Sequence, residues 1–313
     1  MAAHRPPGHP ERPERVDAVD AGVADGAAES GAELDRPAVV PPDATALERI
    51  HPAPYLALLD DAARQGGGWI DADTWIGPES MVAARLAAGA TTQAAMAVGA
   101  GEASVAFAVV RPPGHHARRE RAAGFCLLNN VAIAVDALRA GGLAQRIAIV
   151  DWDVHHGDGT QAIFEADPDV CYASTHQMPL YPGTGAPTEG GSGAALGTKH
   201  NVALAPGSGD QAFVDAWLAQ LAPAIEAFAP EAILVSAGYD AHRLDPLAEL
   251  EVTAAGFRSV AEAIGRLARR LGIGGVALTL EGGYDLGALR ESAAATVAGL
   301  LSGLAVRDGG KGA

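Results

Sequence analysis

Cysteine is nearly absent from this sequence of 313 residues: Cys126 and Cys171 are the whole complement. Two thiols give neither a disulfide framework nor a thiolate metal cluster, and the shortage suits a reducing, cytoplasmic setting. Basic residues are also scarce, 22 Lys+Arg against 38 Asp+Glu, for a formal net charge of −16. A chain so acidic is not expected to bind the phosphate backbone of nucleic acid. Its surface would sooner attract cationic small molecules or Lys-rich segments, although many acidic proteins are simply soluble. No uninterrupted run of 18 apolar residues occurs, so no membrane span is expected, and "MAAHRPPGHPERPERV" lacks the apolar centre of a signal peptide. A GxSxG nucleophile elbow and a phosphate loop are missing too. "GAGEAS" (99–104) is too weak to stand for a nucleotide fingerprint.

What is present is the composition of a globular protein, 49% hydrophobic and 19% charged. Five short apolar runs stand out: "SVAFAVV" (104–110), "RIAIV" (146–150), "VCYAS" (170–174), "EAILVSAG" (231–238) and "GVALTLEGG" (275–283). They are continuous rather than alternating, as strands buried on both faces are. Ala/Leu-rich stretches at helical spacing separate most of them, among them 129–142, 211–230 and 253–272, and 40–100 also reads as helical. Strand and helix in alternation predict a parallel sheet covered on both faces. Each run ends in a polar, Gly-rich segment: "RPPGHHA", "DWDVHHGDG", "THQMPLYPGTG", "GYDAHRLDP" and "EGGYDL". Ligands bind at the carboxyl ends of parallel strands, so these five loops are expected to build one site.

Their chemistry is specific. If 151–155 extends a strand, alternation puts Asp151, Asp153 and His155 on one face. An Asp and a His two apart can reach one divalent ion, with Asp240, after the next buried strand, as a third ligand. Two carboxylates and one imidazole leave a coordination position for water, as catalytic metals require. Zinc is the first expectation, and so oxygen-rich a set also accepts Fe(II), Co(II) or Mn(II). His115 and His116 are adjacent imidazoles suited to acid–base work beside such an ion. Each needs an acid to hold its tautomer, and Asp151 and Asp158 are left over for that task. Tyr284 follows Gly282 and Gly283, which let backbone approach a ligand closely; its phenol is either a donor to a developing oxyanion or a packed aromatic.

Taken together, "GHPERPERV" (8–16), "RPPGHHA", "GFCLLNN" (124–130), "DWDVHHGDGTQ", "YPGTG" (181–185), "SAGYDAHRLDPL" and "EGGYDL" resemble the histone deacetylase superfamily. The likeness is in particular to bacterial class II-like deacetylases and amidohydrolases, related to acetylpolyamine amidohydrolases and acetoin utilization proteins. The resemblance implies a three-layer α/β/α fold shared with arginase, with a mostly parallel sheet of about eight strands. It implies one domain over 1–313, with 1–8 and 307–313 expected to be mobile. Most relatives carry a short strand before "HPERPER", and only a few residues precede that segment here, so either the strand is missing or the start is late.

Residue by residue, the resemblance makes Asp153, His155 and Asp240 zinc ligands, His116 the proton shuttle and His115 its electrostatic partner. Asp151 orients the first histidine and Asp158 the second, with His156 buried behind them, and Tyr284 polarises the amide carbonyl. Phe125 and Tyr181 become walls of an acyl-lysine tunnel, and the Gly124 carbonyl the acceptor of the scissile amide N–H. A structural potassium ion is implied at Asp151, Asp153, His155, Ser174 and Thr175. A second such ion is implied at Phe164, Asp167 and Val170. Water activated by the metal would attack the amide, releasing acetate and a free amine.

Two positions depart from many relatives: Leu180 precedes Tyr181 where a second aromatic is common, and Leu247 stands where polyamine-selective relatives carry an acid. The expected substrate is therefore an acetylated lysine in a protein or peptide, with an acetylated polyamine or other small amine as the alternative. A ureohydrolase of the arginase type would need a second metal whose ligands are already taken by the histidine pair. A non-catalytic acyl-amine-binding protein would usually have lost the tyrosine or a ligand, and this chain keeps them. A homo-oligomer is neither predicted nor excluded. Asp71 and Asp73 are further acids expected near the rim.

Overall fold

All five apolar runs form strands, and they lie in a single sheet. A computed structural model describes residue 1 and residues 3–305 of the chain. Its first two strands, β1 (Gly68–Trp69) and β2 (Trp75–Ile76), make a small antiparallel ribbon. The others are β3 (Val105–Ala108), β4 (Ile147–Asp151), β5 (Val170–Gln177), β6 (Lys199–Leu204), β7 (Ala232–Ala237) and β8 (Val276–Leu280). These six form one sheet in the order β3-β8-β7-β4-β5-β6, each pair parallel.

The sheet therefore has six strands rather than about eight. The ribbon pairs only with itself, and both residues of β1 are exposed. One strand of the sheet, β6, was missed in the sequence. It is an edge strand, and "KHNVAL" carries polar groups that a doubly covered strand excludes.

The strands are apolar throughout because the sheet separates two cores. Ile147 and Ile149 point into one, beneath helices Ala53–Arg64, Ser80–Gly99 and Asn130–Ala140. Ala148 and Val150 point into the other, beneath Glu14–Glu29, Ala254–Arg270 and Leu286–Ala305. The expected helix over 211–230 runs from Asp210 to Phe228 with a π-turn at Trp217–Leu221. That turn lies just before Pro223, whose ring cannot donate to the helical ladder. No helix among the described residues is long and apolar enough to cross a membrane.

Part of the stretch 1–8 packs against the fold. His4 is 1% exposed and its Nδ1 lies 2.7 Å from Ser80 Oγ. The Arg111 guanidinium donates to the carbonyls of Met1 and His4. The tail 307–313 lies outside the described residues.

One feature of the topology places the site. β4 passes to β5 on one side, whereas its other neighbour, β7, passes to β8 on the opposite side. A reversal of that kind opens a crevice at the carboxyl ends of the two strands. The chain leaves β4 at Asp151 and β7 at Ala237, so 151–158 and 238–245 flank that crevice.

Candidate active site

Strand β4 ends at Asp151, so the alternation assumed for 151–155 does not continue and the three side chains do not share one focus. Asp151 turns to the histidine loop: its Oδ2 lies 3.1 Å from His115 Nδ1 and accepts the Tyr172 hydroxyl at 3.0 Å. Asp153, His155 and Asp240 converge instead, with one ligand atom from each within 4.8 Å of the others.

Backbone N–H groups hold the carboxylates in place. Asp153 Oδ2 accepts from Gly282 at 2.7 Å, and Asp240 Oδ1 from Val154 at 2.9 Å. Gly282 and Gly238 must lack side chains, because a Cβ on either would strike these carboxylate oxygens. His155 Nδ1 lies 3.1 Å from Asp153 Oδ1 and 3.2 Å from Asp240 Oδ2. One nitrogen carries at most one proton, and Asp240 Oδ2 is left buried without a donor. Burial opposes a charge on His155, yet Asp153 and Asp240 outweigh it and raise the imidazole to about 10. Two buried carboxylates that draw a proton onto the intervening nitrogen call for a cation, so the residues fit a divalent ion.

The two histidines beside it are driven apart in charge. His116 Nδ1 lies 2.8 Å from Asp158 Oδ1, and Arg118 grips Asp158 Oδ2 with Nε at 3.0 Å and Nη2 at 2.8 Å. Burial, reinforced by its neighbour His115, lowers His116 to about 3. It is neutral, and its donor nitrogen faces Asp158, which leaves Nε2 as a base. At His115 burial is outweighed by Asp153 and Asp151, and the pKa rises well above the ordinary value. The loop itself is pinned from outside: Asn129 Nδ2 donates to Ala117 O at 3.0 Å while its Oδ1 caps helix Asn130–Ala140 at Ala132 N.

A cavity of about 240 Å³ joins these groups, lined by His115, His116, Asp153 and His155 and by Gly124, Phe125, Tyr181, Leu247, Gly282 and Tyr284. Tyr284 is held through its backbone N–H, 2.7 Å from Asp245 Oδ2, and burial pushes its phenol well above the usual range. It therefore remains a donor. Gly124 and Phe125 both sit at positive φ, 52° and 69°. For phenylalanine that conformation is costly, and costs of this kind gather at functional sites. The Phe125 ring stands edge-on to Tyr284 at 5.9 Å, and Tyr181 edge-on to His116 at 5.0 Å. Gly124 O already accepts the Cys126 thiol at 3.2 Å, which leaves a second lone pair. Gly283 does not line the cavity, and its carbonyl accepts from Arg15 Nε at 2.5 Å.

His156 is buried, between Thr184 Oγ1 at 2.8 Å and Gln161 Oε1 at 2.9 Å. Asp151 and Ser174 are register partners on β4 and β5, next to Thr175. Phe164, Asp167 and Val170 close a single turn elsewhere, with Asp167 N donating to Phe164 O at 3.0 Å. Of the rim acids, Asp73 lines the cavity. Asp71 instead caps its own loop, accepting from Thr74 N at 2.6 Å.

Four residues that act here were missed in the sequence: Arg118, Tyr172, Arg15 and Glu281. Glu281 Oε2 accepts the N–H groups of Gly114 at 2.6 Å and His115 at 3.1 Å. Arg15 is wholly buried, donates to Glu281 O and Gly283 O, and lies 4.9 Å from the centre of the Tyr284 ring. A charged residue at the end of a buried strand was the available signal for Glu281. For Arg15 it was an arginine inside a motif already singled out.

Similarity to known proteins agrees with this geometry. The histone deacetylase domain family matches residues 9–300. A probable deacetylase of Archaeoglobus fulgidus is 42% identical over 284 residues, which span 90% of this chain and 77% of that protein. A histone deacetylase-like amidohydrolase of Pseudomonas aeruginosa is 40% identical over 240 residues, 76% of this chain and 63% of that protein. The crystal structure of an acetylpolyamine aminohydrolase from Burkholderia pseudomallei superposes with a TM-score of 0.84 at 32% identity, covering 96% of both chains. The chain belongs to the histone deacetylase family, whose members are hydrolases of the deacetylase and amidohydrolase kind.

Proposed function

We propose that this chain is a metal-dependent deacetylase that hydrolyses the acetyl amide of acetyl-lysine in a protein or peptide. The observation that carries the reading is a neutral His116, held by Asp158, on the same cavity wall as Asp153 and His155. Zinc, for which Fe(II) or Co(II) could substitute, would be held by Asp153, His155 and Asp240, and would polarise the carbonyl and acidify a water. His116 Nε2 then takes the proton of the attacking water and returns it to the leaving amine. Tyr284 donates to the carbonyl oxygen as charge builds there. Phe125 and Tyr181 flank the acyl-lysine chain, the Gly124 carbonyl receives the amide N–H, and Gly282 admits the acyl end. A potassium ion at Asp151, Asp153, His155, Ser174 and Thr175 would brace the loop that carries two of the ligands. Both cysteines are buried and free, in keeping with a cytoplasmic enzyme.

A second reading, an acetylpolyamine amidohydrolase, is favoured by Asp73 on the cavity wall, an acid within reach of a cationic amine. Leu247, apolar and on the same wall, favours the first. Amine release by zinc-loaded protein from an acetyl-lysine peptide, acetylputrescine and acetylspermidine, with potassium present, separates the two. Preference for the peptide is expected. Preference for the polyamines would make Asp73 the selecting group, and no turnover with any of the three would overturn both readings.

A further inference from the structure

The turn Phe164–Val170, where the family resemblance implies a second monovalent cation, already holds a cation that belongs to the chain. Lys199 opens the edge strand β6 and is 3% exposed. Its ammonium donates to Val170 O at 2.8 Å, to Asp167 O at 3.2 Å and to Thr198 Oγ1 at 2.7 Å. An ammonium has three N–H donors, and three oxygens meet them. The remaining carbonyl of the expected set, Phe164 O, accepts from Asp167 N. The Asp167 carboxylate is committed elsewhere, to Arg139 at 2.6 and 3.2 Å. These residues do not fit a second free ion.

We infer that Lys199 is a tethered replacement for that ion, its ammonium fastening the edge strand to the turn where relatives would recruit a monovalent cation. An ammonium and a potassium ion are close in size, and both are satisfied by a ring of oxygens, so one can stand for the other without rebuilding the turn. Burial pulls Lys199 down to about 8, opposed by Cys171 and Asp167, which leaves it charged at neutral pH. A charge so deeply placed is tolerated only when its donors are met, as they are here. Val170 begins β5, whereas Ser174 and Thr175 lie towards the catalytic end of the same strand. The fastening therefore acts away from the catalytic groups and is independent of which amide is cleaved.

The test is a count of bound monovalent ions, by equilibrium dialysis with rubidium on the full chain. Lys199→Ala vacates the ring of oxygens and is expected to bind one more ion per chain than the unaltered protein. Its thermal midpoint should rise more steeply with potassium than that of the unaltered protein, and sodium should not substitute. Lys199→Met fills the space without charge and should gain no ion. Two ions on the unaltered protein would overturn the inference even if both variants failed to fold. Equal counts in the unaltered protein and Lys199→Ala would also overturn it.

Discussion

Tyr284 is the residue whose role geometry and chemistry constrain most tightly. Its phenol is neutral, it lines the same cavity as His116, and its backbone is held by Asp245 while Arg15 lies against its ring. The candidate ligands Asp153 and Asp240 are held by the N–H groups of Gly282 and Val154 rather than by its side chain. Tyr284→Phe is therefore expected to leave zinc stoichiometry unchanged and to lower kcat by roughly 10²–10³, the usual cost of one oxyanion donor. Zinc content by mass spectrometry and turnover on an acetyl-lysine peptide check both halves. Near-normal turnover would return the phenol to the role of a packed aromatic. The same scale explains what could not be read from the sequence. Asp153, His155 and Asp240 were legible because each follows a recognisable buried strand. Arg118, Tyr172 and Arg15 were not, because their roles exist only through contacts that folding creates, such as the one from Arg15 to Gly283, 268 residues away.

Elements were legible where a strand is apolar along its length, including β3 at one edge of the sheet, and obscure where it is polar or very short. The strands β3, β4, β5, β7 and β8 announced themselves as apolar runs, while β6 at the edge and the two-residue strands of the ribbon did not. The helical layer holds a second kind of information, carried by small residues. Gly22 and Gly26, one turn apart on helix Glu14–Glu29, sit against the backbone of Leu286–Ala305 at Arg290 O and Ala294 O. On the far side of that last helix, Gly299 and Gly303 meet Arg258 O and Glu262 O of Ala254–Arg270. A helix interior without contacts would gain about 1 kcal/mol when glycine is replaced by a better helix former. Here the added side chain must displace a neighbouring backbone, so Gly26→Leu is expected to destabilise the fold by about 1–3 kcal/mol. Urea unfolding measures the change. A gain in stability would mean that the two helices do not approach this closely.

At the scale of the whole molecule, several histidines are sealed inside the fold uncharged. His51 is 0% exposed; its Nε2 accepts the Asn129 N–H at 2.8 Å, and its Nδ1 faces Arg119 O at 3.0 Å. Asn129 in turn caps Asn130–Ala140 and holds Ala117, so His51 connects the helical layer to the histidine loop of the site. Burial lowers its pKa from 6.5 to about 4, and burial with His156 lowers His176 to about 4 as well. The unfolded chain thus takes up these protons first. The stability they contribute is complete above pH 6.5 and is lost as pH falls towards 4. At about 1.4 kcal/mol per unit, His51 alone contributes about 3 kcal/mol over that interval. Glu281 and Asp245, raised to about 7 chiefly by burial, act in the opposite sense. They are common to both proteins in a comparison with His51→Gln, so they cancel there. Glutamine can accept from Asn129 and donate to Arg119 without titrating. The His51→Gln protein is accordingly expected to start slightly less stable at pH 7 and to lose less than the unaltered chain between pH 6.5 and 4. Urea unfolding at pH 7, 5 and 4 reads the difference directly. Parallel losses in the two proteins would show that folding does not lower the pKa of His51, and that acid sensitivity must come from the remaining buried groups.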